Sequence, residues 1–124
     1  MSTNVAVFET RLIIVQGQKK VMLIRMLDDQ NQNIELDNVN SIKASFENKL
    51  YQTLQKSMTD VDNPIEINLS DSLIKITLNP TESFSLRTGR NQSFWLQISF
   101  ADDKGIQVFK FENALDVIDA PAFT

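Results

Sequence analysis

The 124-residue chain carries 12 Lys and Arg against 16 Asp and Glu, a formal net charge of −4, with 42% hydrophobic and 23% charged residues. That length and balance suit one folded, soluble domain over 1–124 and exclude a disordered tail, and the acidic surplus argues against nucleic acid as a partner, since phosphates are held by Lys and Arg. The absence of both Cys and His removes disulfides, thiolate and imidazole metal ligands, cysteine nucleophiles and the commonest general base near neutral pH.

The N-terminal Met1-Ser2-Thr3-Asn4 lacks the charged start and apolar run of a secretory signal, and no apolar stretch is long enough to span a bilayer. The product is therefore expected to be made in the cytoplasm, with no membrane partner. Val5, Val7 and then Leu12 to Val15 read as a first strand, closed by Gln16-Gly17-Gln18. Lys20 to Leu27 carries Val21, Met22, Leu23, Ile24, Met26 and Leu27 with only Arg25 interrupting, and reads as a central strand with both faces partly covered. Asp28 to Asn33 is a polar loop.

Ile42, Ala44 and Phe46 alternate with Lys43, Ser45 and Glu47, the period of a strand with one wet face. That strand is expected to run on through Leu50, Tyr51 and Leu54; a helix over Ser45 to Met58 competes, because Phe46, Leu50 and Leu54 also fall four apart. Ile65 to Leu69 and Leu73 to Leu78 are short strands flanking Ser70-Asp71-Ser72. Asn79-Pro80-Thr81-Glu82-Ser83 is a helix-start signal, so one helical turn is expected before Phe84 and Leu86, and Gly89 ends the connection.

Phe94, Leu96, Ile98 and Phe100 alternate with Trp95, Gln97 and Ser99 ahead of Ala101-Asp102-Asp103-Lys104-Gly105. This predicts a hairpin on a type I turn with Gly105 in the left-handed position. The return strand changes parity between Val108 and Phe109, which implies a bulge or a crossing between sheets. Seven or eight short strands with one helical turn give an all-β fold, a single antiparallel, immunoglobulin-like β-sandwich, with a small closed barrel as the alternative.

Candidate sites are few. Asp28, Asp29, Gln30, Asn31 and Gln32 are spaced like the start of a calcium loop, but Val39 stands where the closing Glu belongs, and Asp60, Asp62 and Asn63 share the weakness. Solvated turns are the preferred reading, so no metal and no cofactor are expected. No carboxylate pair stands out for acid–base work, and no Ser has a His or a nucleophile elbow. The chain is accordingly read as no enzyme. Arg87, Gly89 and Arg90 are read as loop charges rather than an anion site. Trp95 points away from the apolar face of its strand, where it can stack on a sugar ring, anchor a protein contact, or cover an open end of the core.

The order of these features resembles a small β-sandwich family of tailed-phage virion proteins, similar to the N-terminal domains of baseplate proteins. The resemblance is carried by Ile14-Val15-Gln16-Gly17-Gln18, the strand from Val21 to Asp28, Leu36 and Val39 leading into Ile42-Lys43-Ala44-Ser45-Phe46, the run Leu73 to Ser83, Gly89, and the hairpin Phe94 to Phe111. The segment Asn48 to Asn63 is longer than the family's usual connection, and Phe109 to Val117 lacks the Gly often found in the last strand. The resemblance implies a virion location and a structural tail or baseplate subunit that assembles with other virion proteins, as a homo-oligomer or in multiple copies. Alternatives are a head-associated decoration or fibre-anchoring protein and a small carbohydrate-binding sandwich. Apolar residues near both ends make Val5, Val7, Phe8 and Phe123, with Trp95, the candidate interface.

Overall fold

A computed structural model describes residues 12–27, 30 and 32–119. Eight strands and one short helix follow in order: β1 (Leu12–Val15), β2 (Lys20–Arg25), β3 (Val39–Glu47), β4 (Thr53–Ser57), β5 (Glu66–Asn68), β6 (Leu73–Leu78), α1 (Pro80–Ser85), β7 (Gly89–Phe100) and β8 (Ile106–Ile118). They form a five-stranded sheet in the order β1-β8-β7-β3-β4 and a three-stranded sheet in the order β2-β6-β5. Two separate sheets make a sandwich, not a closed barrel. The orders β2-β6-β5 and β8-β7-β3 are those of the two sheets of an immunoglobulin-like domain, with β4 added at one edge.

The core lies where the two inner faces meet. Met22 and Ile24 of β2 with Ile74, Ile76 and Leu78 of β6 face Ile42, Ala44 and Phe46 of β3, Phe94, Leu96, Ile98 and Phe100 of β7, and Phe109 and Phe111 of β8; all are buried. Immunoglobulin domains commonly clamp their sheets with a disulfide packed on a Trp. This chain has no Cys, and its core instead carries a stack of rings on adjacent strands of the five-stranded sheet. The Phe94 ring stacks on Phe46 at 5.2 Å on one side and on Phe111 at 4.7 Å on the other. Such cross-strand aromatic contacts add to the burial of each ring.

One pair departs from the expected antiparallel pattern: β1 runs parallel to β8, with Leu12 opposite Leu115 and Val15 opposite Ile118. The chain leaves this sheet through Gln16-Gly17, where Gly17 adopts φ 82°, and enters the other sheet as β2. A strand that changes sheets need not reverse beside its neighbour, so the parallel pair follows from the crossing. Of the first strand expected from Val5, only Leu12 to Val15 falls within the described residues.

The competing helix over Ser45 to Met58 does not form. Asn48 breaks the segment instead: its side-chain carbonyl accepts from the N–H groups of Leu50 at 2.9 Å and Gln52 at 3.0 Å, closing a turn from which β4 returns antiparallel to β3. The long segment Asn48 to Asn63 thus supplies the extra edge strand. The hairpin at Gly105 forms as expected, with Gly105 at φ 64° and the Phe100 N–H donating to the Gly105 carbonyl at 2.8 Å. The parity change in β8 has a different solution from the one expected. Ile106 and Val108 face outward, paired with Ser99 and Gln97, and the bulge falls later, between Phe111 and Leu115, where Asn113 holds φ 53°. Asn tolerates the left-handed region better than most residues, so the bulge forms without a Gly.

Helix α1 caps one end of the sandwich. Asn79 and Glu82 form a reciprocal capping box, with 2.7 Å from the Glu82 N–H to Asn79 Oδ1 and 3.0 Å from the Asn79 N–H to Glu82 Oε1. The buried Ser83 hydroxyl donates to the Gln18 carbonyl at 2.7 Å and accepts from the Gly17 N–H at 3.1 Å, tying the helix to the turn between β1 and β2.

Candidate functional site

Trp95 lies on the outer face of the five-stranded sheet, opposite Ser45 of β3 and Lys110 of β8. It does not cover an open end of the core. Its neighbours in β7, Phe94 and Leu96, point inward and are fully buried, so the strand period that fills the core also fixes Trp95 on the surface, 40% exposed.

The turn between β3 and β4 brings a second aromatic to this face. Tyr51, 78% exposed, sits at φ 58°. For a side chain of that size the left-handed region costs about 1–2 kcal/mol. The Asn48 bonds to Leu50 and Gln52 hold the turn in this conformation, together with the Asn48 N–H on the Gln52 carbonyl at 2.9 Å. Tyr51 and Trp95 line a concavity of about 130 Å³ together with Ser45, Phe46, Glu47, Gln52 and Thr53.

The electrostatics of the concavity are nearly balanced. Arg87, in the segment leading into β7, places Nε 3.0 Å from Glu47 Oε1 and its terminal nitrogen 3.4 Å from Oε2. The Nε contact is close but lies outside hydrogen-bond alignment, so it is an electrostatic contact rather than a directed bond. The same guanidinium lies 5.7 Å from the centre of the Tyr51 ring, and the Lys110 ammonium lies 5.5 Å from the centre of the Trp95 ring. Each aromatic ring therefore already has a cation beside it.

The other sequence candidates separate from this site. Val5, Val7, Phe8 and Phe123 lie outside the described residues, as do Asp28, Asp29 and Asn31. Asp60 accepts from the Ser57 N–H and hydroxyl, both at 3.0 Å, and contacts Lys56 at 3.5 Å, so this acidic turn answers to protein donors. Burial pushes the Asp60 pKa up, but the two Ser57 bonds and the Lys56 charge outweigh it and hold it below the ordinary aspartate value. Asp102, in the hairpin turn, is lowered chiefly by the Lys104 N–H, with the Lys104 ammonium and the Asn38 amide adding to this against the opposing effect of burial. Among the described residues no group of three or more acidic side chains is arranged to hold a metal ion. Arg87 is not a solvated loop charge but the partner of Glu47, while Arg90 stays exposed.

Two of the residues that shape the concavity, Glu47 and Tyr51, were not singled out by sequence reasoning, and Arg87 was weighed only as a loop charge. Glu47 was visible only as a wet-face residue of its strand, Tyr51 read as a continuation of that strand, and Arg87 sits forty positions from its partner. The Asn48 signal for a turn was available in the sequence, since Asn bonds its own following backbone.

No protein-family model matches the chain, and no curated protein matches it. Among solved structures it is similar to immunoglobulin domains of titin. A crystal structure of a titin domain in complex with an obscurin-like Ig domain gives 10% identity and a TM-score of 0.42, covering 90% of this chain and 89% of that one. A titin Ig tandem gives 8% and 0.44, covering 91% of this chain and 46% of that one. A titin domain pair in complex with telethonin gives 14% and 0.43, covering 97% and 51%. The chain spans about half the length of the last two.

Proposed function

We propose that the chain is a non-enzymatic structural subunit of a tailed-bacteriophage virion, docking to other virion proteins at the tail or baseplate. The observation that carries the docking part of this reading is the apolar surface left over after the core is complete. Ile106 and Val108 alternate on the outer face of β8, with Val108 diagonal to Trp95 across the strand pair, and all three are exposed. The other sheet shows Val21 and Leu23 to solvent in the same way. Exposed apolar residues scattered singly are ordinary, but neighbours on a rigid sheet face suit a protein contact. The virion setting rests on the sequence resemblance from Gln16 onward. A position on the head, as a decoration subunit, draws on the same surface.

The test is incorporation. Particles purified by density gradient from the native host should contain the chain, and the double substitution Ile106→Ser, Val108→Ser should give a folded protein that no longer incorporates. Absence of the wild-type chain from particles would remove the virion reading. Normal incorporation of the double variant would place docking on another surface.

A further inference from the structure

The concavity between Trp95 and Tyr51 has a size and a charge balance that select among ligands. Its volume of about 130 Å³ is well below the roughly 300–1,000 Å³ of a pocket that encloses a drug-sized molecule. It fits one ring or one side chain. A cationic guest, the usual occupant of an aromatic cage, meets two cations already beside the rings, Arg87 at Tyr51 and Lys110 at Trp95. The carboxylate that would attract it, Glu47, is already paired with Arg87 at 3.0 Å. An anionic guest meets the Glu47 carboxylate and the negative faces of two rings, and both nearby cations are already paired with carboxylates, Arg87 with Glu47 at 3.0 Å and Lys110 with Glu112 at 3.4 Å.

What remains is a neutral guest with apolar faces and hydroxyl edges. Its faces would lie against Trp95 and Tyr51. Its hydroxyls would meet the remaining lone pairs of the Glu47 carboxylate, the Gln52 amide and the hydroxyls of Ser45 and Thr53, all of which line the same concavity. A pyranose has this combination of surfaces. An apolar side chain from a protein partner would fill the volume but leave those polar groups without partners, which disfavours it. We infer that this outer-face concavity binds a neutral sugar ring, such as an exposed hexopyranose of a glycan. The inference is independent of the virion reading, because it depends only on the residues around Trp95 and Tyr51.

Trp95 is the only Trp in the chain, so its fluorescence reports directly on the site. The full chain is titrated with methyl β-glucopyranoside, methyl α-mannopyranoside, methyl β-galactopyranoside and N-acetylglucosamine, with glycerol and methylammonium chloride as controls. At least one pyranoside should give a saturable change with half-saturation on the order of 1–10 mM, the range for a single-ring ligand. Tyr51→Ala should abolish the change, and Glu47→Gln should weaken binding about fivefold or more. Both sites are at the surface, so both variants should melt near the wild type, and Val108→Ala, outside the concavity, should bind normally. The inference is overturned if no pyranoside gives a saturable change by about 100 mM. It is overturned equally if methylammonium saturates the same signal, or if folded Tyr51→Ala binds like the wild type.

Discussion

Lys56 offers the sharpest test of how this sandwich is held together. It lies on β4 opposite Ala44, on the same inward face as Leu54, and only 1% of its side chain is exposed. Its ammonium reaches the Glu82 carboxylate at 2.9 and 3.1 Å, Asp60 at 3.5 Å and the Asp62 carbonyl at 3.4 Å. Removing one partner of a buried pair costs about 3–5 kcal/mol, because the other charge is left without compensation. Glu82 is 20% exposed and Asp60, 30% exposed, remains beside the ammonium, so the expected cost of Glu82→Gln falls to about 2–3 kcal/mol. Gln at this position keeps the capping box with Asn79, so the loss reads the ion pair and not the cap. Lys56→Met conserves length and apolar bulk while removing the charge, and leaves Glu82 partly solvated, so it should stay within about 1 kcal/mol of the wild type. The double variant should recover most of the Glu82→Gln loss. Urea titrations of all four proteins, forming a double-mutant cycle, give these numbers directly. If Lys56→Met costs more than Glu82→Gln, the buried ammonium is not the group whose compensation matters, and the reasoning fails.

Three further outcomes follow from the same packing. Phe94→Ala, at the centre of the three stacked rings, should cost about 3–5 kcal/mol in a denaturant titration, while Phe84→Ala, on an exposed ring beside Lys49, should cost less than about 1 kcal/mol; similar losses would mean the core is misassigned. Because the Asp60 pKa is held below the ordinary aspartate value, its contribution to stability is present above that ordinary value and is lost as the pH falls through the lower, folded value. Asp60→Asn should therefore flatten the acid limb of a melting-temperature profile below about pH 4, and an unchanged limb would contradict the assignment. Ser72 holds φ 54° in the turn between β5 and β6, so Ser72→Gly should be neutral to stabilising by up to about 1 kcal/mol in urea, and a clear loss would show that its side chain matters more than its backbone.

Much of the fold is set locally and is legible in the residues. Strict alternation from Phe94 to Phe100 assigns four side chains to the core and Trp95 to the surface, because successive side chains of a strand point to opposite faces. Asn79-Pro80-Thr81-Glu82 starts a helix because its side chains satisfy the backbone groups of the first turn, and Gly105 closes a hairpin because it accepts the left-handed region at little cost. These effects act within a few residues.

Other features arise only when distant segments meet. The parallel pairing of β1 with β8 depends on where the first strand finds an open edge, which no local pattern encodes. The bulge at Asn113 sits where two long strands must stay in register, so Val108 and Phe109, which carry the visible parity change, are not where the strand yields. Lys56 looks like any surface lysine until Glu82, twenty-six positions on, meets it inside the sandwich. The concavity is of the same kind. Trp95 was placed on the surface by its strand, but Tyr51 and Glu47 become its neighbours, and Arg87 theirs, only because the Asn48 turn and the segment before β7 converge on one sheet face. A period of two residues fixes the side of the sheet a residue takes, and only tertiary pairing fixes which residues stand beside it there.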